Sequence, residues 1–413
     1  MKYNWWLITA IIIIWSGLSY ILPAPQEVYG EDVVFEQQWV DCMGDAVSAW
    51  KADQILNTAQ ENQEQDQDVN RYLITIISEM TLEQKLAQLM ILTNGNDMTP
   101  QALKAGQPGG IILFSKDFTG KTTEQVKKQM EEYQAEMIYP LFVGVDEEGG
   151  EVSRIAELQG GEVPVFQSAR QLYETGGLQL VYEDTISKTR FLASMGINLN
   201  FAPVADVVEN ESSYMYERSA SSVPEQAADY VETVVDAMAQ EHMRCCLKHF
   251  PGYGENANTH QAYVVDQKSL SSYRSRDFIP FYRGIAAGAD MVMVSHIVME
   301  AVDGTQPASL SPKVHTLLRE ELGFDGVVVA DDLNMQAVLS RMSLEDATAE
   351  ALSAGNDMIF SADFEASMRG IKKAVDDGRI SMQQIDDSVT RVLRMKINQG
   401  LVVVPKKEQH AGG

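Results

Sequence analysis

Eight short apolar segments alternate with longer polar stretches, and this alternation limits the possible folds more than any other feature of the chain. Segments that are apolar on both faces and separated by helices are typical of parallel strands, so the fold class is α/β. Eight such units over about 330 residues favour a single closed (β/α)8 TIM barrel over an open doubly wound sheet. A Gly-rich phosphate loop does not follow the first segment, which also disfavours a nucleotide-binding sheet. The segments are AQLMIL (87–92), GIILF (110–114), LFVGVD (141–146), INLNFAPVADV (197–207), CCLKHF (245–250), MVMVSH (291–296), GVVVAD (326–331) and DMIF (357–360).

Helical signals lie between the predicted strands. Thr81 followed by Gln84 fits a capping box, which predicts that a helix begins there. Charged amphipathic patterns predict helices over 123–137 and 224–243, and further helical segments reach Met195. The alternation of strands and helices therefore predicts one barrel domain over residues 71–405.

The amino terminus has a different composition from the rest of the chain. Residues 5–22 are uncharged and apolar, follow Lys2, and precede Pro23 and a run of acidic residues. This length is at the lower edge of the ~20 apolar residues that span a bilayer as a helix. Residues 1–30 are therefore predicted to be a signal peptide or a membrane anchor, with Lys2 on the cytoplasmic side. Cleavage and retention stay open as equal alternatives.

Residues 31–70 are acidic and rich in glutamine, a composition typical of a solvated spacer. One short helix is expected within this spacer, over residues 39–52. If residues 5–22 act as a membrane tether, the spacer holds the barrel away from the bilayer. A polar tail is predicted over residues 406–413. The expected location is extracytoplasmic, either secreted or membrane-anchored.

Charge and cysteine content exclude several classes of function. The chain has 32 Lys and Arg against 59 Asp and Glu, a formal net charge of −27. Such a surface repels phosphate backbones, so nucleic acid is not an expected partner. Three cysteines, two of them adjacent at Cys245 and Cys246, do not make a disulfide framework. No Cys and His spacing predicts a metal site, and no cofactor is expected.

Polar side chains follow almost every predicted strand. Because the carboxyl ends of barrel strands meet at one opening, residues at these ends are expected to line a common pocket. For a single carboxylate the alternative is a helix cap or a solvated loop charge, and this alternative stays open for Glu148 and Asp332. The candidates are Asp146, Glu147, Glu148, Asp206, Lys248, His249, Ser295, His296, Asp331 and Asp332.

Five motifs resemble those of glycoside hydrolase family 3, specifically its single-domain β-N-acetylglucosaminidase branch. They occur in the family's order and cover residues 75–400. The motifs are GVDEEGGEVSR (144–154), GINLNFAPVADV (196–207), ERSASSVPE (217–225), KHFPGYGENANTH (248–260) and ELGFDGVVVADDLNM (321–335). The resemblance implies a (β/α)8 barrel and a retaining mechanism in which Asp331 attacks the anomeric carbon. It further implies that a group of residues binds the sugar: Asp146, Arg154, Arg218, Lys248, His249 and Met335.

The second catalytic group is expected to differ from that of most retaining glycosidases. Retaining glycosidases ordinarily pair two carboxyl groups about 5 Å apart. In two-domain relatives the second carboxylate comes from a carboxyl-terminal domain that this chain is not expected to carry. The resemblance instead assigns the acid/base role to His260, on the loop after the fifth strand. Histidine suits this role because its unperturbed pKa is about 6.5.

Asn258 departs from the branch, which usually has an aspartate two positions before that histidine. Asparagine accepts the same hydrogen bond as aspartate but supplies no charge, so His260 is expected to be a weaker base than in relatives. Three interpretations follow: a slower hydrolase, a site in which Glu255 supplies the carboxylate, or a binding protein without turnover. Tyr253 is a second and milder departure, because many relatives have histidine there.

The sequence thus predicts an exo-acting β-N-acetylhexosaminidase that releases terminal N-acetylglucosamine from muropeptides or chitin-derived saccharides. A saccharide is the expected partner, and water or phosphate is the expected acceptor. One alternative is an exo-glycosidase of the β-glucosidase type, because hydroxyl ligands such as Asp146 and Lys248 do not select an acetamido group. Another is a catalytically weakened protein that binds cell-wall saccharides.

Overall fold

The computed structural model describes residues 66–93, 98–161, 163–254, 256 and 263–405. The chain divides into two compact units, Met1–Gln67 and Asp68–Gly413, and nearly all described residues belong to the second. The predicted leader, most of the predicted spacer and the predicted tail lie outside the described residues. So do Glu255, Asn258 and His260. Within the described part, no helix is both long enough and apolar enough to cross a bilayer.

Eight parallel strands close into a barrel, which confirms the predicted TIM-barrel fold, and each predicted segment overlaps one barrel strand. With two further short strands, the elements in chain order are β1 (Met90–Leu92), β2 (Gly110–Leu113), β3 (Phe142–Val145), β4 (Leu199–Asn200), β5 (Arg244–Phe250), β6 (Val265–Asp266), β7 (Met291–Val294), β8 (Val298–Met299), β9 (Val327–Ala330) and β10 (Met358–Ser361). The barrel order is β1–β2–β3–β4–β5–β7–β9–β10. β10 pairs with β1 to close it, with Met90 opposite Ile359.

The barrel strands are buried on both faces, as their apolar composition predicts. Inside the barrel, the rings of Phe201 and Phe360 meet edge to face with centroids 5.2 Å apart. Phe201 packs so closely over Gly144 on β3 that a Cβ atom at this glycine would lie 2.5 Å from the ring. The filled interior therefore depends on a residue without a side chain at position 144.

β4 is much shorter than its predicted segment, 197–207. The chain contains Pro203, which has no N–H to donate to a neighbouring strand, so regular pairing does not continue through it. After the proline, Val204 forms only an isolated bridge with Lys248 of β5. Asp206 consequently lies in a loop at the carboxyl end of the barrel rather than within a strand.

Helices surround the barrel and follow the predicted alternation. The capping box at Thr81 and Gln84 is present, with both reciprocal hydrogen bonds. The helices predicted over 123–137 and 224–243 are present but each ends three residues earlier. The α-helices are α1 (residues 66–79), α2 (Leu82–Gln88), α3 (Pro100–Gly106), α4 (Ser115–Phe118), α5 (Thr123–Gln134), α6 (Ala169–Ser194, interrupted at Gly177), α7 (Pro224–Gln240), α8 (Leu270–Ser272), α9 (Phe278–Ala286), α10 (Pro312–Thr316), α11 (Gln336–Leu339), α12 (Leu344–Ala354), α13 (Phe364–Asp376) and α14 (Met382–Asn398). Short 3-10 helices occur at Ile155–Glu157 and Ala308–Leu310, and π-helices at Tyr273–Asp277 and Leu317–Glu321.

Helix α1 includes residues 66–70, which precede the domain boundary predicted at residue 71. Val69, Leu73 and Ile77 of this helix are 7%, 1% and 7% exposed and belong to the main apolar core. Spacings of four residues place these side chains on one face of the helix. The packed unit therefore includes residues that the acidic composition assigned to the spacer.

A second, two-stranded parallel sheet was not predicted. β6 pairs with β8, with Val265 opposite Val298. β6 lies in the connection after β5, and β8 lies in the connection after β7, so the sheet joins two loops at the carboxyl end of neighbouring barrel strands. This end of the barrel is where the predicted site residues lie.

Candidate active site

Four charged side chains form a compact cluster at the carboxyl end of the barrel. Asp146 and Glu148 follow β3, Lys248 lies in β5, and Arg218 comes from the connection after β4. The Nζ atom of Lys248 lies 2.7 Å from Asp146 Oδ1 and 2.7 Å from Glu148 Oε1. Arg218 donates to both carboxylate oxygens of Glu148, each at 2.8 Å. Two cations thus balance two carboxylates in one place.

Burial makes the charges of this cluster depend on each other. The side chains of Lys248 and Glu148 are 3% and 5% exposed. Burial opposes ionisation of Glu148, yet Arg218 and Lys248 outweigh it and hold the pKa of the carboxyl well below its ordinary value. Burial also opposes charge on Lys248, but Asp146 and Glu148 raise the pKa of its ammonium group. Glu148 and Lys248 are therefore charged at neutral pH and offer both acceptors and donors to hydroxyl groups.

His249 is oriented toward this cluster by Asp206. The Nδ1 atom of His249 lies 2.8 Å from Asp206 Oδ2, and the backbone N–H of His249 donates to the same oxygen at 3.2 Å. Asp206 is itself fixed by the backbone N–H of Tyr253 and by the Ser219 hydroxyl, which donates to the Asp206 carbonyl at 2.7 Å. With Nδ1 donating to a carboxylate, the Nε2 atom of a neutral His249 is an acceptor. It lies 3.4 Å from a nitrogen of Arg218.

Arg154 approaches Asp146 from the turn that follows β3. Its guanidinium nitrogen lies 3.5 Å from Asp146 Oδ2. The turn is held by Glu147, whose Oε2 atom accepts from the backbone N–H groups of Arg154 at 2.8 Å and Ile155 at 3.3 Å. Glu147 is fully buried, and this burial raises the pKa of its carboxyl. Glu147 therefore positions Arg154 and has no exposed surface with which to contact a ligand.

Asp331 lies directly after β9, at the same end of the barrel as the charged cluster. Its backbone N–H donates to the carbonyl of Val294 on β7 at 2.9 Å, and its Oδ1 atom accepts from the N–H of Asp332 at 2.8 Å. His296, which is fully buried, donates from Nε2 to the Asp332 carbonyl at 3.0 Å. Its Nδ1 atom then accepts from the Ser309 hydroxyl at 2.6 Å. His296 therefore fixes the turn that carries Asp331.

The structure brings together five of the predicted sugar-binding residues and places two more predicted site residues at the same end of the barrel. The five are Asp146, Arg154, Arg218, Lys248 and His249, and the two on the turn after β9 are Asp331 and Met335. Met335 is 4% exposed, and its N–H donates to the Asp332 carbonyl at 3.0 Å. His260 and Asn258 lie outside the described residues, so the acid/base assignment stays a prediction.

Two carboxylates for which a structural role stayed open differ from each other. Glu148 is neither a helix cap nor a solvated loop charge, because it is buried between two cations. Asp332 does shape its loop, since its Oδ1 atom accepts from the N–H of Asn334 at 2.9 Å and from the Asn334 side chain at 2.7 Å. Asp206 and His296 were predicted only as polar residues at strand ends. The sequence gave no signal that Asp206 contacts His249 or that His296 contacts the Asp332 carbonyl.

Within the described ranges, no group of three or more His, Cys, Asp or Glu side chains is placed to hold a metal ion. Cys245 and Cys246 are buried in β5 and do not form a disulfide. Burial raises the pKa of both thiols, which makes them poor nucleophiles.

A (β/α)8 barrel with paired carboxylates and cations at the carboxyl ends of its strands defines an enzyme whose site suits a ligand rich in hydroxyl groups. The family model described as "Glycosyl hydrolase family 3 N terminal domain" matches residues 81–395. The chain therefore belongs to glycosyl hydrolase family 3 and is a glycosidase.

Curated relatives are named beta-hexosaminidases. A beta-hexosaminidase of Stenotrophomonas maltophilia is 33% identical over 279 residues, which cover 66% of this chain and 82% of the relative. Beta-hexosaminidase LpqI of Mycobacterium tuberculosis is 32% identical over 327 residues, which cover 76% of this chain and 82% of that protein.

Solved structures agree in fold. A glycoside hydrolase family 3 beta-N-acetylglucosaminidase from Paenibacillus superposes with a TM-score of 0.72 at 31% identity. The match covers 80% of this chain and 65% of the Paenibacillus chain, so this protein spans less than two thirds of that relative. LpqI of M. tuberculosis superposes with a TM-score of 0.71 at 30% identity, covering 78% of this chain and 95% of that one.

Proposed function

We propose that this protein is a retaining, exo-acting β-N-acetylhexosaminidase that releases terminal N-acetylglucosamine from cell-wall or chitin-derived saccharides. The observation that carries the proposal is the buried cluster of Asp146, Glu148, Lys248 and Arg218 at the barrel end where Asp331 lies. The names of the curated relatives support N-acetylhexosamine as the sugar.

The charged cluster accounts for binding of a non-reducing sugar. Asp146 accepts hydrogen bonds from sugar hydroxyls, while Lys248 and Arg154 donate to them. His249 offers its Nε2 atom as an acceptor, since Asp206 holds the other ring nitrogen. Charge-assisted hydrogen bonds of this kind are roughly twice as strong as neutral ones, so they orient the sugar for attack. These side chains together suit a terminal sugar, and an enzyme that releases the terminal sugar is exo-acting.

In the proposed mechanism, Asp331 attacks the anomeric carbon and forms a glycosyl-enzyme ester as the bond to the leaving oxygen breaks. His260 donates a proton to that oxygen, and the leaving group departs as an alcohol. In the second step His260 takes a proton from water, whose oxygen attacks the anomeric carbon and releases Asp331. If phosphate replaces water, the product is the sugar 1-phosphate. No metal or organic cofactor enters either step.

Kinetics on aryl glycosides test this function. The full-length protein is expected to hydrolyse 4-nitrophenyl β-N-acetylglucosaminide with a kcat/KM well above that for 4-nitrophenyl β-glucoside. Asp331→Asn is expected to abolish turnover while leaving the protein folded, because the two side chains have nearly the same shape. Equal or preferred turnover of the glucoside would identify a β-glucosidase. Saccharide binding without turnover of either substrate would identify a binding protein. This is the alternative suggested by Asn258, which stands where relatives usually have an aspartate.

We also propose that residues 1–30 export the enzyme or tether it to the membrane, and that residues 31–70 separate the barrel from the bilayer. The support is the apolar segment 5–22, which is followed by an acidic, Gln-rich stretch. Added protease should digest the barrel in intact spheroplasts if it is extracytoplasmic. Protection until the cells are lysed would contradict this location.

A further inference from the structure

A polar network outside the charged cluster ties the two sides of the connection between β5 and β6. Asn256, on the β5 side, donates from Nδ2 to the Oδ2 atom of Asp266 on β6 at 2.7 Å. The backbone N–H of Lys268 donates to the other oxygen, Asp266 Oδ1, at 2.9 Å. The Nζ atom of Lys268 lies 3.3 Å from Asp266 Oδ2 and 2.9 Å from Asp277 Oδ1. We call Asn256, Asp266, Lys268 and Asp277 the neck network.

Burial strengthens the neck network. The side chains of Asp266 and Asp277 are 5% and 1% exposed. Burial raises the pKa of Asp277 to about 6, so its carboxylate is charged at neutral pH and pairs with Lys268. The ammonium group of Lys268 also lies over the ring of Tyr273, 4.4 Å from the centroid. A Cβ atom at Gly252, where the connection begins, would lie 2.5 Å from the Asp277 Cβ, so the backbone packs directly on the network.

The β5 side of the connection has a fixed place relative to the sugar-binding residues. The backbone N–H of Tyr253 donates to the Oδ1 atom of Asp206. Asp206 is the carboxylate that orients His249, through its Oδ2 atom at 2.8 Å. Asn256 donates to the Tyr253 carbonyl at 2.7 Å as well as to Asp266. The neck network is therefore tied to the side of the site that is proposed to bind the sugar.

The β6 side of the connection has a fixed place relative to the nucleophile turn. The backbone N–H of Glu300, directly after β8, donates to the Asp266 carbonyl at 3.1 Å. β8 lies in the connection after β7, which also contains His296. His296 contacts the Asp332 carbonyl at 3.0 Å and so fixes the turn that carries Asp331. The neck network thus joins a segment registered to the sugar-binding residues with one registered to the nucleophile.

We infer that Asn256 and Asp266 are positioning residues for acid/base catalysis, because their contact closes the loop 257–265 at its neck. Closing a loop at its neck reduces the number of conformations open to the residues within it. A displacement of about 1 Å in a reacting group can cost about a hundredfold in rate. The inference rests on the proposed function, which assigns the acid/base role to His260, a residue of this loop. It goes further by naming the groups that limit where the acid/base lies relative to Asp331.

A purely structural role is the alternative, in which the neck network only stabilises the connection. The two roles differ in how the rate depends on the leaving group. A general acid contributes most when the leaving oxygen is strongly basic, so a misplaced acid slows poor leaving groups more than good ones. A smaller fraction of folded protein lowers the rate for both kinds of substrate by the same factor.

The test compares two aryl glycosides whose rings are similar in size. They are the 4-nitrophenyl and the 4-methoxyphenyl β-N-acetylglucosaminides, and 4-methoxyphenol is the weaker acid and the poorer leaving group. The measured quantity is kcat/KM, which reports the step that breaks the bond to the leaving oxygen. In the full-length protein, Asn256→Ala is expected to lower kcat/KM about tenfold for the methoxyphenyl glycoside and at most about twofold for the nitrophenyl glycoside. Asn70→Ala, which removes an exposed asparagine contact with Arg394 on α14, is the matched control and should keep the native ratio.

Asp266→Asn provides an independent check. The variant keeps the shape of the side chain but turns one carboxylate oxygen into an NH2 group, which then faces the donors of Asn256 or Lys268. The ratio should change in the same direction, and adding Asn256→Ala to Asp266→Asn should change it no further, because both substitutions break one contact. An equal loss on both glycosides in Asn256→Ala, or no loss on either, would overturn the inference while the native protein still hydrolyses both. A native protein that hydrolyses neither glycoside would overturn the proposed function and the inference with it.

Discussion

Replacing Lys248 with methionine tests whether the charged cluster is held together as the structure shows. Lys248 contacts Asp146 and Glu148, each at 2.7 Å, and its side chain is 3% exposed. Methionine fills a similar volume without charge. In the variant, Arg218 still pairs with Glu148, but Asp146 keeps only Arg154, at 3.5 Å. Within the four-residue cluster the substitution therefore leaves one negative charge in excess, which only the more distant Arg154 offsets.

The expected cost follows from burial. Removing one partner of a buried ion pair typically costs about 3–5 kcal/mol, because the remaining charge is left uncompensated. Two contacts and nearly complete burial place Lys248→Met in this range. An exposed pair contributes about 0–1 kcal/mol. Arg283→Met is the matched control, since Arg283 pairs with Asp229 and Glu232 while all three side chains are 43% exposed.

The pH dependence gives a second signature. The pKa of Glu148 lies below its ordinary value, so its ion pairs stabilise the folded protein above the unfolded pKa, about 4.3. This contribution is lost as the pH falls through the folded pKa. Without Lys248 the pKa of Glu148 is less depressed and less stability is available to lose. The difference between native protein and variant should therefore be largest near neutral pH and shrink in acid.

Urea unfolding at a series of pH values measures both effects, and the aryl glycosidase assay measures the loss of sugar binding. Glu148→Gln alone and combined with Lys248→Met completes a double-mutant cycle, which should show coupling of more than about 1 kcal/mol for residues in direct contact. A cost for Lys248→Met no larger than that for Arg283→Met, or an additive cycle, would refute the assignment of a mutually dependent cluster.

Three further predictions concern the barrel and the acid/base. Gly144→Ala places a Cβ atom 2.5 Å from the Phe201 ring and should lower the free energy of unfolding in urea by about 1–3 kcal/mol. Gly304→Ala is the control and should cost less, because the nearest atom to its added Cβ lies 3.7 Å away. Equal costs for the two variants would contradict the close packing at Gly144. Burial lowers the pKa of Lys396 to about 7, below its unfolded value of about 10.4. The stability of the native protein should therefore rise relative to that of Lys396→Met as the pH increases from 7 toward 10. A stability difference that stays constant over this range would contradict the lowered pKa. Asn258→Asp should speed release of the sugar and shift the basic limb of the pH–rate profile, and an unchanged profile would place the acid/base partner elsewhere.

The barrel could be predicted because its signal is local and repeated. Each buried strand is a short apolar run, and a helical pattern separates it from the next, so counting units was enough to favour closure. The ends of the elements were less predictable, as the segment 197–207 shows, because Pro203 interrupts a run that is apolar beyond the strand. The β6–β8 sheet gave no signal, since two-residue strands are too short for any periodicity.

The sequence predicted which residues form the candidate site, but not which of them contact each other. Asp146, Lys248 and His249 follow or end strands, and barrel geometry brings such residues together. The partner of His249 could not be read from the chain, because Asp206 lies 43 residues away and reaches it through a loop. Glu147 and Glu148 are adjacent and chemically alike, yet one supports a turn and the other joins two cations. Only the local backbone direction separates their roles.

The assignment of Asp331 as nucleophile is tested most directly by trapping the glycosyl-enzyme. The full-length protein is incubated with 5-fluoro-N-acetylglucosaminyl fluoride, digested with a protease, and the labelled peptide is sequenced by mass spectrometry. We predict one added fluorosugar per molecule, bound as an ester to Asp331. A label on Asp332, Glu148 or any other residue would contradict the proposed mechanism, as would steady hydrolysis of the aryl substrate by Asp331→Asn.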